Sequence, residues 1–311
     1  MEAGEEEAWA AVEQEERVLP EGLGGVAEEA ACPIWEFCGL PAIEFGELTF
    51  GQRLGRGAFG AVYAAECPHF GGRVAAKVLT SAVTDFELGL LLNEAWMMAL
   101  VAGHPNVLTF HALLMLDGRP VGLVTELATL GSLGDMIQGG SLPSPADALL
   151  LTLQLCAGLA HVHACGVLHQ DIKPDNVLVC EGEGGAAVLK LADFGMAQRV
   201  GALRHAGGTQ RYFSPGMHGR VVSEKSDVWA LALTCAEMAT GELPPLCVDG
   251  SRGRDDPIAV PASFSREWKF LSAALLVGDP ALRPGAREMG HWVQHVLAWV
   301  QAPRAAIFAR A

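Results

Sequence analysis

The chain has 311 residues, 50% of them hydrophobic, so it is long enough to bury a large core or two lobes around a cleft. The formal net charge of −15, with ten glutamates against one arginine in residues 1–30, argues against nucleic acid and anionic membranes as partners. The apolar stretches are interrupted or short and the acidic start is unlike a signal peptide, so we expect a cytoplasmic protein, with nuclear access left open and secretion or membrane insertion excluded.

The eight cysteines form no CxxC pair and no metal-ligand spacing. Reduced, mostly buried thiols are therefore the simplest interpretation.

The first 47 residues divide into two parts. Residues 1–32 are rich in Glu, Gly and Ala, which predicts a disordered acidic tail, although Glu5–Leu19 could form a helix when docked on a regulator. Residues 33–47 include Trp35, Phe37 and Phe45, which is too aromatic for a free linker. We expect this segment to pack on the domain that follows.

Short β-like runs and one helix come next. The helix is predicted over Asp85–Ala102, before Gly103 and Pro105. The predicted strands are Leu48–Leu54, Ala61–Glu66, Arg73–Leu79, Val107–Leu116 and Val121–Leu127.

The pattern becomes helical after Gly131. Ser144, Pro145 and Asp147 are typical of a helix start, and Gly166 ends that helix. The run Ser223–Thr240 is apolar on nearly all faces, which predicts a buried core helix. The sequence therefore predicts an α+β protein with a small β-rich lobe and a larger helical lobe.

Three glycines, Gly55, Gly57 and Gly60, lie between the first two predicted strands. Glycines let backbone amides approach phosphates closely, and a strand on each side disfavours a dinucleotide-binding turn. Alone, this pattern fits an ordinary tight hairpin equally well.

Lys77 ends the third predicted strand, and Glu94 lies in the middle of the following helix. Phosphoryl transfer needs a cation on the nucleotide phosphates and an anion that holds the cation. Glu94 is favoured as that anion over Glu87, which is too close to the helix start.

The run His169-Gln170-Asp171-Ile172-Lys173-Pro174-Asp175-Asn176 indicates a functional site. So many polar residues beside apolar runs would be energetically unfavourable unless they serve a function. Asp171 can accept a hydroxyl proton, and Asn176 offers an oxygen to Mg²⁺. Asp193-Phe194-Gly195 adds a carboxylate for the nucleotide's metal.

In this order and spacing the motifs resemble the protein kinase family, and the resemblance covers about Phe50–Trp299. It implies a two-lobed kinase fold with a small β-rich N-lobe that carries one key helix, a larger α-helical C-lobe, and ATP in the cleft. The implied catalytic domain is 48–302, with an N-lobe at 48–127, a C-lobe at 131–302, and a short tail at 303–311.

The resemblance also implies roles for individual residues. Asp171 is the catalytic base, Lys173 steadies the transferred phosphoryl group, Lys77 and Glu94 form an ion pair, and Thr209 contacts the base. Asn176 and Asp193 hold Mg²⁺ or Mn²⁺. Thr125 is the gatekeeper, and Glu126 and Ala128 are the backbone partners of adenine. The implied ATP-binding set is Leu54, Gly55, Arg56, Gly57, Ala58, Phe59, Gly60, Val62, Ala75, Lys77, Thr125, Glu126, Ala128 and Leu178.

Lys173 and the peptide-docking run Gly208–Tyr212 are similar to the serine/threonine branch, which implies transfer to Ser or Thr of protein substrates. Two positions depart from the family pattern. Gln170 replaces an Arg that binds an activation-segment phosphate, and Asp193–Pro215 has no hydroxyl residue before Thr209. Gly216 replaces a Glu that pairs with the arginine matched here by Arg283.

Two rival interpretations remain. A pseudokinase scaffold would keep the fold without catalysis, although Lys77, Asp171 and Asp193 are all present. A small-molecule kinase shares a similar His-x-Asp loop, but the peptide-docking run argues against it.

Overall fold

The computed structural model describes residues 39–57, 60–79, 84–202, 208–214, 222–243 and 265–301. The acidic tail 1–32, the C-terminal tail 303–311, Ala58, Phe59 and Gly216 lie outside the described residues. Two compact units are present. The smaller unit contains the described residues up to Ala99 and Thr109–Leu127, and the larger unit contains Leu100–Leu108 and the described residues from Ala128 onward.

The smaller unit is built on a six-stranded sheet. Its strands are β1 (Ala42–Glu44), β2 (Thr49–Arg56), β3 (Gly60–Cys67), β4 (Gly72–Leu79), β5 (Phe110–Leu116) and β6 (Arg119–Glu126). The order is β1-β5-β6-β4-β3-β2, in which β1 and β5 are parallel and all other neighbours are antiparallel. The five predicted strands are confirmed, whereas β1 was not predicted.

One face of this sheet carries the core of the smaller unit. Alternate residues of β4, namely Val74, Ala76 and Val78, are fully buried in that core. Phe45 joins the same cluster from the segment before β2 and stacks on Phe50 with ring centroids 4.6 Å apart. Residues that precede the first predicted strand thus contribute to the core.

Helix α1 (Asp85–Leu100) lies in the connection between β4 and β5 and confirms the predicted helix. Leu91, Glu94, Ala95 and Met98 are buried, and their spacing of three and four residues puts them on one face of the helix. Glu94 is the charged member of this buried face.

The larger unit is mostly helical. Its helices are α2 (Leu133–Gln138), α3 (Pro145–Ala164), α4 (Glu224–Thr240), α5 (Arg266–Leu275) and α6 (Ala286–Gln301). Two small two-stranded sheets pair β7 (Val167–Leu168) with β10 (Gln198–Arg199) and β8 (Val177–Glu181) with β9 (Ala187–Leu191). Helices α3 and α4 confirm the two predicted helices, whereas α2, α5 and α6 were not predicted.

Helix α3 begins as predicted, since the Ser144 hydroxyl accepts a hydrogen bond from the Asp147 amide at 3.2 Å. Within the described residues, it is the one helix long and apolar enough to cross a membrane. That is weak evidence, because a core helix passes the same test, and α3 packs against α4, α6 and β9.

Residues 100–108 pack with the larger unit, whereas the predicted N-lobe 48–127 includes them. The Asn106 amide donates hydrogen bonds to Gln154 Oε1 at 3.1 Å and to the Leu189 carbonyl at 2.9 Å. Gly158 of α3 allows this approach, because a Cβ there would collide with the Asn106 carbonyl.

Arg283 is the largest buried charged residue of the larger unit, at 1% exposure. Its guanidinium donates to the carbonyls of Val277, Gly278 and Lys225, and it lies 4.8 Å from the centre of the Trp229 ring. Burial lowers the pKa of the guanidinium to about 10, although Asp279 acts in the opposite direction. Backbone carbonyls and an aromatic face therefore supply partners to the arginine for which the resemblance implied a missing glutamate at position 216.

We predict that Arg283→Met lowers the free energy of unfolding by about 2–4 kcal/mol, because it leaves buried carbonyls without donors. Chemical denaturation at neutral pH measures this. The control is Arg287→Met on the exposed start of α6, for which a change within about 0.5 kcal/mol is expected. Equal effects of the two substitutions would contradict the prediction.

Candidate active site

Lys77 and Glu94 form an ion pair in the smaller unit. The Lys77 ammonium lies 2.8 Å from both Oε1 and Oε2 of Glu94. The rival carboxylate Glu87 caps the start of α1 instead, where its Oε2 accepts from the Thr84 amide at 2.9 Å. The structure thus brings Lys77 together with Glu94, whereas Glu87 caps the start of the helix.

The glycine-rich segment is a hairpin between β2 and β3. The Gly57 amide donates to the Gly60 carbonyl at 2.8 Å, and Arg56 and Gly57 are exposed. A Cβ at Gly60 would collide with the Val78 carbonyl of β4, so this position requires glycine. The backbone of the turn is accordingly held close to the strand that carries Lys77.

Four predicted site residues share one face of the sheet. Val62 is the cross-strand partner of Lys77, and Thr125 is the partner of Ala75. Cross-strand partners, and residues two apart on one strand, point to the same side of a sheet. This face is opposite to the one that buries Val74, Ala76 and Val78. Leu54, which is 45% exposed, and Gly55 lie in the bulged part of β2.

The predicted adenine-binding segment starts at the end of β6. The Thr125 hydroxyl donates to the Glu126 carbonyl at 3.1 Å, and the Glu126 carboxylate accepts from the Thr109 amide at 2.7 Å. Ala128 and Leu178 are half-buried and belong to the larger unit, where Leu178 of β8 bridges to Ser132.

Asp171 is the centre of a hydrogen-bond network in the larger unit. Its Oδ1 accepts from the amide and the hydroxyl of Thr209, both at 2.8 Å. Its Oδ2 accepts from Lys173 Nζ at 2.8 Å and from Asn176 Nδ2 at 2.9 Å. Lys173 Nζ also lies 2.8 Å from the Thr209 hydroxyl, so that three predicted catalytic residues meet at one point.

The environment of Asp171 determines its ionisation. Burial raises the pKa of the carboxyl, but the hydrogen bonds from Lys173 and Thr209 and the charge of Lys173 outweigh burial, so the pKa lies below its usual value. Asp171 is therefore ionised at neutral pH and can accept a hydrogen bond from a hydroxyl.

Gly208 lets the chain that carries Thr209 come close to Asp171. Its φ is +106°, and a Cβ there would collide with the Gln170 carbonyl and lie 3.1 Å from Asp171 Oδ1. A side chain at this position would separate Thr209 from Asp171.

The loop that carries Asp171 is anchored by Asp227 of α4, which is 1% exposed. Its carboxylate accepts from the amides of His169 and Gln170 at 2.8 Å each, and it lies 3.0 Å from His163 Nε2. Gln170 has a positive φ of 66°, a conformation that these bonds hold in place. The contact of His163 with Asp227 was not predicted, because His163 belongs to no motif.

Asn176 and Asp193 are the predicted metal ligands. Asn176 donates to the Asp171 carbonyl and carboxylate through Nδ2, and its Oδ1 is the atom suited to a metal. Asp193 has a φ of 58°, at the end of β9. No cluster of three or more His, Cys, Asp or Glu suited to a metal exists among the described residues. Mg²⁺ needs no such cluster, because it is usually held by one or two protein ligands together with substrate phosphates, so this donor set fits.

The lowered pKa of Asp171 predicts a pH-dependent contribution to stability. A carboxyl with a depressed folded-state pKa stabilises the fold above its unfolded value of 3.8, and that contribution disappears as the pH falls through the folded-state pKa. We therefore expect Asp171→Asn to destabilise the chain at pH 7, and we expect the effect to shrink as the pH falls below 3.8. Denaturation of both proteins across this range measures the difference, and a difference independent of pH would contradict the prediction.

The chain is similar to known proteins over most of its length. Residues 48–295 match the protein kinase domain family. The chain is 33% identical over 231 residues to "Serine/threonine-protein kinase Pkn1" of Myxococcus xanthus, covering 71% of this chain and 33% of that protein. It is 35% identical over 213 residues to "CBL-interacting protein kinase 4" of Oryza sativa subsp. japonica, covering 64% of this chain and 45% of that protein.

A third relative is "Serine/threonine-protein kinase shk2" of Schizosaccharomyces pombe, which is 31% identical over 218 residues, covering 67% of this chain and 34% of that protein. The chain thus spans between a third and a half of the length of these three relatives. The match to the kinase domain covers most of the chain, and the α+β architecture agrees with it. The chain belongs to the protein kinase family.

Proposed function

We propose that this chain is an ATP-dependent serine/threonine protein kinase, which transfers the γ-phosphoryl group of ATP to Ser or Thr hydroxyls of protein substrates. The observation that carries the proposal is the meeting of Asp171, Lys173, Thr209 and Asn176 within hydrogen-bond distance. Such a network around a buried carboxylate is costly unless all its members are satisfied, and it assembles the groups that phosphoryl transfer requires.

In this proposal Asp171 orients the substrate hydroxyl. Because its pKa is below the usual value, Asp171 is a weak base, and it takes the hydroxyl proton only as the oxygen bonds to phosphorus. Lys173 lies beside the same carboxylate and places a positive charge where the transferred group gains negative charge. Thr209 aligns a peptide with the base through its amide and hydroxyl bonds.

The remaining residues hold the nucleotide and the metal. Lys77, fixed by Glu94, binds the phosphates, and the hairpin Leu54–Gly60 covers them through its backbone amides. In the smaller unit, Val62, Ala75 and Thr125 would face the adenine ring and the backbone of Glu126 would bond to its edge. In the larger unit, the resemblance assigns adenine binding to Ala128 and Leu178. When bound, Mg²⁺ or Mn²⁺ neutralises phosphate charge, and Asn176 and Asp193 are its protein ligands.

The function is tested by γ-phosphoryl transfer to generic protein substrates. We predict that Asp171→Asn and Lys77→Met each reduce kcat/KM by about 10²–10⁴-fold, because each removes a group that acts on the transferred phosphoryl or its acceptor. Glu183→Gln, in the turn between β8 and β9, is the matched control and should leave transfer unchanged.

The pseudokinase interpretation makes the opposite prediction. A purified chain that binds ATP but transfers nothing to any protein would overturn the proposal and favour a nucleotide-binding scaffold. Transfer to tyrosine alone would overturn the assignment to the serine/threonine branch.

We also propose that activity does not depend on phosphorylation of the activation segment. The proposal is supported by Gln170, whose Nε2 donates to the Met196 carbonyl at 3.1 Å. This neutral hydrogen bond connects the loop of Asp171 to the start of the activation segment. In many kinases an ion pair between an arginine and a segment phosphate makes that connection. The first hydroxyl residue of the segment, Thr209, is already bonded to Asp171 and Lys173.

We predict that phosphatase treatment leaves kcat unchanged within about twofold, because Gln170 cannot form the charge-assisted pair with a phosphate that an arginine at its position would form. Mass spectrometry before and after treatment establishes the phosphorylation state. A stoichiometric phosphate between Asp193 and Pro215 whose removal silences the enzyme would contradict the prediction.

A further inference from the structure

Helices α5 and α6 form a groove on the larger unit. Its volume is about 500 Å³, and among the described residues its lining comes from these two helices. Residues three or four apart lie on the same side of a helix, so one face of α5 and one face of α6 meet in the groove. The lining includes Arg266, Glu267 and Phe270 of α5, and Trp292, His295 and Trp299 of α6.

The aromatic rings of this groove are open to solvent. Phe270 is 62% exposed, Trp299 is 44% exposed and Trp292 is 38% exposed. The core of the larger unit takes other residues of the same helices, such as Leu271 of α5 and Val293 of α6, which are fully buried. A cluster of exposed rings that the core does not use is typical of a contact surface.

The groove carries charges of both signs. Arg266 and Glu267 are neighbours in the first turn of α5, and both line the groove. The Arg266 guanidinium lies 5.4 Å from the centre of the Trp299 ring, and no ion pair within the described part of the chain includes it. Two neighbouring residues of opposite charge are complementary to a second copy related by a two-fold axis, because each charge then faces its opposite. A purely acidic or purely basic partner would match only one of them.

The shape of the groove also fits a second copy. Trp292 and Trp299 lie on one line of α6, seven residues and about 10 Å apart along the helix axis. Phe270 is the most exposed of the three rings. In a two-fold arrangement the Phe270 ring of each copy can enter the groove of the other, between the two indole rings, where aromatic rings pack well against each other.

The exposed area of the rings is sufficient for a reversible dimer. An aromatic side chain carries about 150–250 Å², so the three rings together expose about 300 Å². Two copies would remove about 600 Å² of aromatic surface from water, and at an apolar share of about 60% the whole contact would bury about 1,000 Å². This area is at the lower end for specific interfaces, so we expect the dimer to dissociate on dilution.

We propose that the chain forms a two-fold symmetric dimer through the groove of α5 and α6. Phe270 of each copy enters the groove of the other, and Arg266 pairs with the partner's Glu267. None of the candidate site residues belongs to α5 or α6, so the contact is separate from the candidate active site and does not depend on the proposed function.

Sedimentation equilibrium of the full chain, at protein concentrations from about 1 µM to 1 mM, tests for the dimer. We expect Phe270→Ser and Trp299→Ser each to raise the dissociation constant by more than about tenfold, because each substitution removes a central contact twice. The matched control is Phe86→Ser on α1, whose ring is 72% exposed outside the groove, and it should leave the dissociation constant unchanged. Circular dichroism of each variant checks that the chain is folded.

An exchange of charges tests the two-fold arrangement. Arg266→Glu alone and Glu267→Arg alone should each weaken the dimer by about tenfold at low salt, because like charges then face each other. Combining the two substitutions exchanges the charges and should restore most of the lost affinity. A loss of stability of the single chain could not produce such a restoration.

Three outcomes would overturn the inference. A chain that stays monomeric at the highest concentration would exclude a second copy as the occupant of the groove. A dimer that does not respond to the Phe270 and Trp299 substitutions would place the contact on another surface. A doubly substituted chain that dimerises as weakly as the two single variants would exclude the pairing of Arg266 with the partner's Glu267.

Discussion

The buried carboxylate of Asp227 is the constraint on which the catalytic loop depends. It lies on α4, a helix whose apolar residues are buried on nearly all sides, and it binds two successive amides of the loop, those of His169 and Gln170. Those bonds hold Gln170 at a positive φ, which sets the direction of the chain into Asp171. Packing of an apolar helix therefore positions a polar loop, because a rigid core is a more precise support than another loop.

A second constraint acts on the strand that carries Lys77. Both neighbours of β4 place a glycine against its backbone: a Cβ at Gly60 would collide with the Val78 carbonyl, and a Cβ at Gly122 would collide with the Lys77 carbonyl. These two approaches fix β4 between β3 and β6. Successive side chains of a strand point to opposite faces of the sheet, so Val78 points into the core and Lys77 points toward Glu94 on the other face. One strand thus links the core of the smaller unit to its candidate site.

Much of this arrangement was predictable from local signals. Strands β2–β6 and the helices α1, α3 and α4 follow from periodicity, caps and glycines, and the candidate site residues follow from motifs with a chemical reason for each spacing. Helices α5 and α6 were not predicted. Ser265 caps α5, but neither helix carries a motif of the candidate site. Contacts between distant segments carry no local signal. His163 beside Asp227 and the carbonyls around Arg283 are therefore visible only in three dimensions.

Gln170 shows how one neutral substitution alters what the site requires. An arginine at this buried position, 8% exposed, would bring a full charge next to the Met196 carbonyl, and a buried charge is strongly destabilising without an anion. A phosphate would then be needed to stabilise the active arrangement. The glutamine amide needs only neutral partners: its Nε2 donates to the Met196 carbonyl, and its Oε1 has no donor among the described residues. On the proposal that the segment needs no phosphate, the glutamine leaves one unpaired oxygen where an arginine would leave an uncompensated buried charge.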